Sequence, residues 1–314
     1  MTKIVELPAL DGRSPLGFLA SLGLLWVLRL AGMQPLRLSF SPEGAALLHS
    51  PLDSVDEVSN RLEKLISQTP GGVVVVGCDP RFPLPAGRNA DPMRRPRAEF
   101  QHLLAEIAAL DERACRDWMP SLFTDLAVDS QGRADLTPFC APSGKQNLRT
   151  FFDKPFSAVR ANPTYLREAL LGWRRVDGFT GEYLDHRVLN SAADDPGGRS
   201  AERGVPGATW LATMALPMLR LTGDGERVKA TLWHNMERRS FMVWPLWEPP
   251  LDYFAVTVLI EHPTLVPIDS RPTVRYSAWS DLGILAVYGA ERQRIPGRNF
   301  AGVLAPCPVA VRPQ

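Results

Sequence analysis

Polar and apolar positions alternate over residues 3–7 like a short strand, and an uncharged apolar run, residues 16–28, follows almost at once. Between them Ser14 stands where a helix N-cap belongs and Pro15 takes the favoured first helical position, so a strand and then a helix are predicted to open the chain. Ser54 and Glu57 have capping-box spacing, and Val55, Val58, Leu62, Leu65 and Ile66 share one face of the helix they predict. Thr69-Pro-Gly-Gly72 stops it. The four valines 73–76 read as a buried strand. Phe100, Leu103, Leu104, Ile107 and Leu110 mark an amphipathic helix, Asp129-Ser-Gln-Gly-Arg133 a turn, and residues 138–145 a further connection. Asn162-Pro163 starts a helix with Leu166, Leu170 and Trp173 inward, ending in Arg174-Arg175.

Downstream, residues 204–217 place glycines and alanines among large apolar side chains at helical spacing, and Pro217 stops this helix. A hairpin is expected around Gly223-Asp-Gly225, and residues 241–247 form an aromatic strand ended by Pro249-Pro250. Residues 251–260 carry both periodicities; a start at proline and a stop at His262-Pro263 favour helix. Residues 308–311 look strand-like. Helical and strand periodicities thus alternate irregularly with no long βαβ series, which predicts an α+β fold of mixed helices and mainly antiparallel strands. Two interlocked lobes are expected: residues 1–130, with the opening strand, the glycine-containing core helix, a basic loop and amphipathic helices, and residues 131–314, with a basic-aromatic segment, the Gly-Ala-rich helix and the aromatic strand. The boundary is weak, and a single domain stays open.

The run 16–28 ends at Arg29, short of the roughly 18 to 20 residues a membrane span needs. Glu6, Asp11 and Arg13 precede it and no small-residue cleavage site follows, so it reads as a buried core helix, with no membrane partner expected.

Composition narrows the function only a little. A chain of 314 residues, 45% apolar, can bury a large core, and a net charge of +1 gives no global pull toward nucleic acid. Of the 35 basic residues only five are lysines, a bias that follows base composition, so only clustered arginines carry an argument. Cys78, Cys115, Cys140 and Cys307 are far apart and form no C-x-x-C pair, which fits a reducing cytoplasm and packing roles. His49, His102, His186, His234 and His262 show no metal spacing. The dinucleotide, Walker, nucleophile-elbow, zincin and deaminase motifs are absent, and no metal or cofactor is expected.

Two regions hold chemistry. Glu182-Tyr-Leu-Asp-His-Arg187, with Asp194 and Asp195, gathers carboxylates and a histidine as a metal-dependent nuclease requires; alternatively these acids pair with Arg187, Arg199 and Arg203. The stretch 178–207 around them is too long for a simple turn, and reads as a functional or a mobile loop. For nucleic acid, residues 138–175 interleave Lys145, Arg149, Lys154, Arg160, Arg167, Arg174 and Arg175 with Phe139, Phe151, Phe152, Phe156, Tyr165 and Trp173. Cations suit phosphates and rings suit bases, unless the rings are core. A loop at 78–97 adds Arg81, Arg88, Arg94, Arg95 and Arg97 against Asp79 and Asp91.

Four segments taken together resemble accessory proteins of type I-G (formerly I-U) CRISPR systems, including the group described as an extension of the helicase-nuclease. They are Pro15-Leu-Gly-Phe-Leu-Ala-Ser-Leu-Gly-Leu-Leu25; Ser143-Gly-Lys-Gln146; Asp185-His-Arg187 followed by Pro196 and then Gly207-Ala-Thr-Trp-Leu-Ala-Thr-Met-Ala-Leu-Pro217; and Trp244-Pro-Leu-Trp-Glu-Pro249. The resemblance implies a cytoplasmic antiviral-defence protein, CRISPR-associated and without catalytic residues, working in or beside a guide-RNA ribonucleoprotein. Its expected partners are effector-complex proteins, with guide RNA or target DNA as further ligands. Such complexes read sequence by base pairing while their proteins hold the backbone. On that expectation Lys145, Gln146 and Arg149 are the first backbone contacts, followed by Arg94, Arg95, Arg97, Arg174 and Arg175. Asp185, Arg187 and Trp210 become structural members of the pattern. A protein-protein adaptor built on Trp244, Trp247 and the proline-rich strand ends, and the nuclease centred on Asp185, remain the alternatives.

Overall fold

The computed structural model describes residues 2–85, 91–140, 147–188, 202–236, 239–267, 272–275, 279–293 and 302–312. The chain opens with β1 (Lys3–Asp11) and α1 (Pro15–Leu30), as the pattern predicts, with the Ser14 hydroxyl accepting from the Gly17 N–H at 3.1 Å. A hairpin, β2 (Arg37–Phe40) and β3 (Ala45–Ser50), completes an antiparallel sheet of order β1-β3-β2. There follow α2 (Val55–Gln68), capped by Ser54, α3 (Phe100–Leu110), a π-helical turn at Ala114–Trp118, and α4 (Met119–Leu122). The predicted turn at Asp129 joins β4 (Phe123–Val128) to β5 (Ala134–Leu136).

Next come α5 (Leu148–Ala161), α6 (Thr164–Leu171), β6 (Val176–Asp177) paired with β7 (Arg203–Gly204), and α7 (Pro206–Thr213). The remaining strands are β8 (Leu221–Gly223), β9 (Val228–Ala230), β10 (Trp233–Met236), β11 (Arg239–Trp247), β12 (Thr273–Arg275), β13 (Ile284–Gln293), β14 (Val303–Cys307) and β15 (Ala310–Arg312). Six of them form an antiparallel sheet of order β14-β13-β11-β10-β9-β8, and β12 pairs with β15 in parallel. α8 (Tyr253–Ile260) follows β11, so the ambiguous segment is helical, with the Asp252 carboxylate accepting from the Ala255 N–H. The fold is α+β.

α1 explains why the segment of first interest holds no charge. Every residue from Pro15 to Leu28 is buried, so the helix is apolar all round because all its faces are covered. No helix among the described residues is long and apolar enough to cross a membrane. A methyl group added at Gly23 would lie 1.6 Å from the Leu211 carbonyl oxygen, and one at Gly207 would lie 2.0 Å from that of Tyr165. These glycines bring α7 against α1 and α6 backbone to backbone. The six-stranded sheet joins the same core from the other end of the chain: the Trp244 indole donates to the Gly12 carbonyl and the Trp247 indole to that of Leu38, both at 2.8 Å. Phe18, Phe40, Trp244 and Trp247 interlock there, with ring centroids 4.9 Å apart for Phe40 and Trp247 and 5.7 Å apart for Phe18 and Trp244.

Three expectations need correction. The valines 73–76 are buried but pair with no strand among the described residues; they run into a turn closed by the Cys78 N–H on the Val75 carbonyl, because a short apolar run reports burial and not conformation. α6 stops at Leu171, so Trp173 and Arg174-Arg175 lie beyond it, and the half-buried Trp173 donates its indole N–H back to the Ala169 carbonyl. α7 ends at Thr213, ahead of Pro217, which falls in a separate 3-10 turn at Leu216–Met218.

Candidate nucleic-acid interface

Lys145 and Gln146, the leading candidates, lie outside the described residues, as does Arg88. Arg149 is described, and it faces the protein. From the first turn of α5, whose cap is the reciprocal Asn147–Thr150 pair, its guanidinium donates to the carbonyls of Gly72, Pro80 and Pro83, each at 2.8 Å. It therefore holds the 72–83 loop against α5. Arg160 does the same one helical stretch later, donating to the carbonyls of Thr69 and Pro70.

Three more of the predicted arginines are also engaged. Arg95 lies 3.3 Å from Glu106 and 3.8 Å from Glu99, Arg174 pairs with Glu168 at 2.8 Å, and Arg175 pairs with Asp185 at 2.6 Å. Arg97 is exposed and makes no ion pair among the described residues. The interleaved rings are core: Phe139, Phe151, Phe152 and Phe156 are each at most 1% exposed. Helical spacing places Phe151, Phe152 and Phe156 on the inward face of α5, and Phe139 is buried in the chain after β5, which corrects the expectation that these rings stack on bases.

The acidic segment is an ion-pair cluster. The Asp185 carboxylate, buried, accepts from Arg175 through one oxygen and from the Arg187 backbone N–H (3.0 Å) and Nε (3.3 Å) through the other. Burial alone would raise its pKa, but the Arg175 hydrogen bond and the charges of Arg187 and Arg175 hold it below the usual carboxylate range. Burial lowers the pKa of the adjacent His186, against the pull of Asp185. Guanidinium groups thus occupy the positions a metal ion would take on Asp185. No group of three His, Cys, Asp or Glu among the described residues is placed to hold a metal, and Asp194 and Asp195 lie outside them.

Arg94 leads elsewhere, to a polar cleft of about 880 Å3. One wall is the end of the large sheet, with Trp233 and Asn235 from β10, Arg239 and Ser240 from β11, and Glu291 and Arg292 from β13. The other is β5 and the chain after it, Asp135 to Cys140, with Arg94 at the rim. Arg239 and Glu291 form a bidentate pair across β11 and β13. Asp129 accepts from both Arg94 and Arg133 at 2.8 Å, so one carboxylate answers two guanidinium groups. Burial raises the pKa of Asp135, aided by the nearby Asp129 charge.

Arg292 has no carboxylate partner among the described residues. It donates to the carbonyls of Gly302 (3.0 Å) and Pro138 (2.7 Å), lies 5.4 Å from the Trp233 ring centroid, and is lowered by burial to a pKa of about 10, so it stays charged at neutral pH. Two more polar atoms of the lining, the Arg94 Nε and the Thr137 hydroxyl, are buried with no hydrogen-bond partner among the described residues, and Thr137 is only 1% exposed. Net positive charge, an uncompensated guanidinium and unused hydrogen-bonding groups together suit an anion of phosphate type. Sequence reasoning flagged Arg94, but not its meeting with Thr137 and Arg292 at one cleft, because that site joins three distant parts of the chain. No protein-family model matches this chain, and no characterised protein is significantly similar to it in sequence.

Proposed function

We propose that the protein is a non-catalytic accessory subunit of a CRISPR effector assembly that holds a phosphate of guide RNA or target DNA in the cleft between β5 and the large sheet. The observation that carries the binding reading is Arg292, a half-buried positive charge without a carboxylate partner among the described residues, set in a lining with unused hydrogen-bonding groups. The CRISPR assignment rests on the four-segment resemblance. Three of those segments lie within the described residues and adjoin in the core: α1 meets α7 at Gly23, the Trp244 ring packs on Phe18, and Asp185 is fixed by arginines. These segments build the core, and the cleft is the proposed site.

The first test is nucleic-acid affinity as a function of salt for wild type, Arg292→Gln and Arg292→Lys, with thermal midpoints recorded for each. Loss of one phosphate contact in Arg292→Gln is expected to weaken binding about tenfold and to reduce the salt slope by about 1, with partial rescue by lysine. A folded Arg292→Gln protein with wild-type affinity and slope overturns the cleft assignment. Co-purification with effector proteins that survives nuclease treatment, without any nucleic-acid binding, would favour the adaptor instead.

A further inference from the structure

On the α8 side of α1, away from the cleft, an unusual group of rings and cations surrounds a cavity of about 390 Å3, within the range of ordinary ligand pockets. Arg29, in the last turn of α1, places its guanidinium 4.4 Å from the Tyr253 ring centroid, 5.4 Å from that of Phe254 and 5.7 Å from that of Trp26. It makes no ion pair among the described residues. Its position at a helix C-terminus favours a cation there, which accounts for the charge but not for the rings around it. Phe254 is 65% exposed, held edge-on to Tyr253 at 5.2 Å, and Val258 one turn on is 69% exposed.

The lining adds Arg116, paired with Asp117 at 2.8 Å, and Arg220, paired with Glu261 at 3.4 Å, both largely exposed. Trp26, also a lining residue, is 2% exposed, and its indole N–H has no acceptor among the described residues. A buried donor without a partner is costly unless a ligand answers it.

We infer that this face is a stacking platform for an unpaired base of single-stranded nucleic acid. Every base presents a π-face to an exposed ring without regard to sequence, and a guanidinium beside that ring adds cation–π attraction. Arg29, a cation without a carboxylate partner among the described residues, complements a phosphate that flanks a base, whereas an apolar protein segment would leave it without an anionic partner. The platform uses none of the cleft residues and stands or falls separately from the cleft.

The test is fluorescence anisotropy with the full chain and three labelled probes of equal length: a homopyrimidine single strand, the same strand with abasic positions, and a duplex. Wild type is expected to prefer the base-bearing strand to both others. Phe254→Ala, at an exposed site that leaves folding intact, is expected to lose about tenfold in affinity for the base-bearing strand alone, and Phe254→Trp to retain it. Arg292→Gln, by contrast, is expected to weaken the base-bearing and abasic strands alike. Equal affinity for base-bearing and abasic strands, no effect of Phe254→Ala, or no single-strand binding at all overturns the platform. So does loss of a protein partner in Phe254→Ala with strand affinity unchanged.

Discussion

The His234 imidazole on β10 lines a cleft of about 450 Å3 together with Lys229, Glu261 and His262, and its Nε2 is buried without a hydrogen-bond partner among the described residues. Burial pushes its pKa from the ordinary 6.5 down to about 4. Because the folded value lies below the unfolded one, the unfolded chain takes up the proton first as pH falls. Stability is full above about pH 6.5, declines between 6.5 and 4, and loses nothing more from this group below that. The loss is on the order of 2 kcal/mol after allowing for partial exposure. His234→Gln is expected to flatten this part of the stability curve in denaturant titrations at a series of pH values, and an unchanged slope would assign it to another group. Pairings at this scale were hidden from sequence. Arg149, Arg174 and Arg175 carry the residue type a phosphate wants, but the fold decides what each meets: a carbonyl 69 positions away for Arg149, and carboxylates 6 and 10 positions away for Arg174 and Arg175.

Elements were far more legible, because their signals are local. Ser14 with Pro15, and Ser54 with Glu57, announce α1 and α2 through caps that need no tertiary partner. α5 was missed although Leu148, Phe151, Phe152, Phe156 and Val159 follow helical spacing, since Pro155 sits inside it and the interleaved cations drew attention to a different chemistry. How closely two helices approach is also written in composition, through glycine. Gly23→Ala would set a methyl against the Leu211 carbonyl and must push α7 away from α1, at a cost of about 1–3 kcal/mol or more. Gly172→Ala, extended and facing open space, is the control and should change stability little. Equal denaturation midpoints for the two variants would show that the helices have room to yield.

At the scale of the whole molecule, the core residues form one continuous cluster from Val5 to Leu304, with a small satellite of Tyr183, Val188 and Val303. α1 is covered by α7, and the turn that precedes it by Trp244, so residues 1–130 leave their most apolar helix bare when separated from the remainder. Expressed alone, 1–130 is expected to aggregate or stay unfolded, while co-expression with 131–314 restores a folded complex; a soluble, cooperatively unfolding 1–130 fragment would contradict this. The α+β class followed from irregular alternation of periods, but the order of the six-stranded sheet, with β11 beside β13, did not. Strand neighbours are set by which faces must be covered, and a one-dimensional pattern does not say by whom.

The ring cluster of Phe18, Phe40, Trp244 and Trp247 draws its members from both ends of the sequence into fixed, mutually tilted orientations. Rigid asymmetric packing of the two indoles against phenyl rings couples their electronic transitions, so the near-ultraviolet circular dichroism of this protein carries a built-in optical gauge of closure. That band should fade whenever the distant strand lets go of the first helix, even while the backbone helicity seen at shorter wavelengths persists.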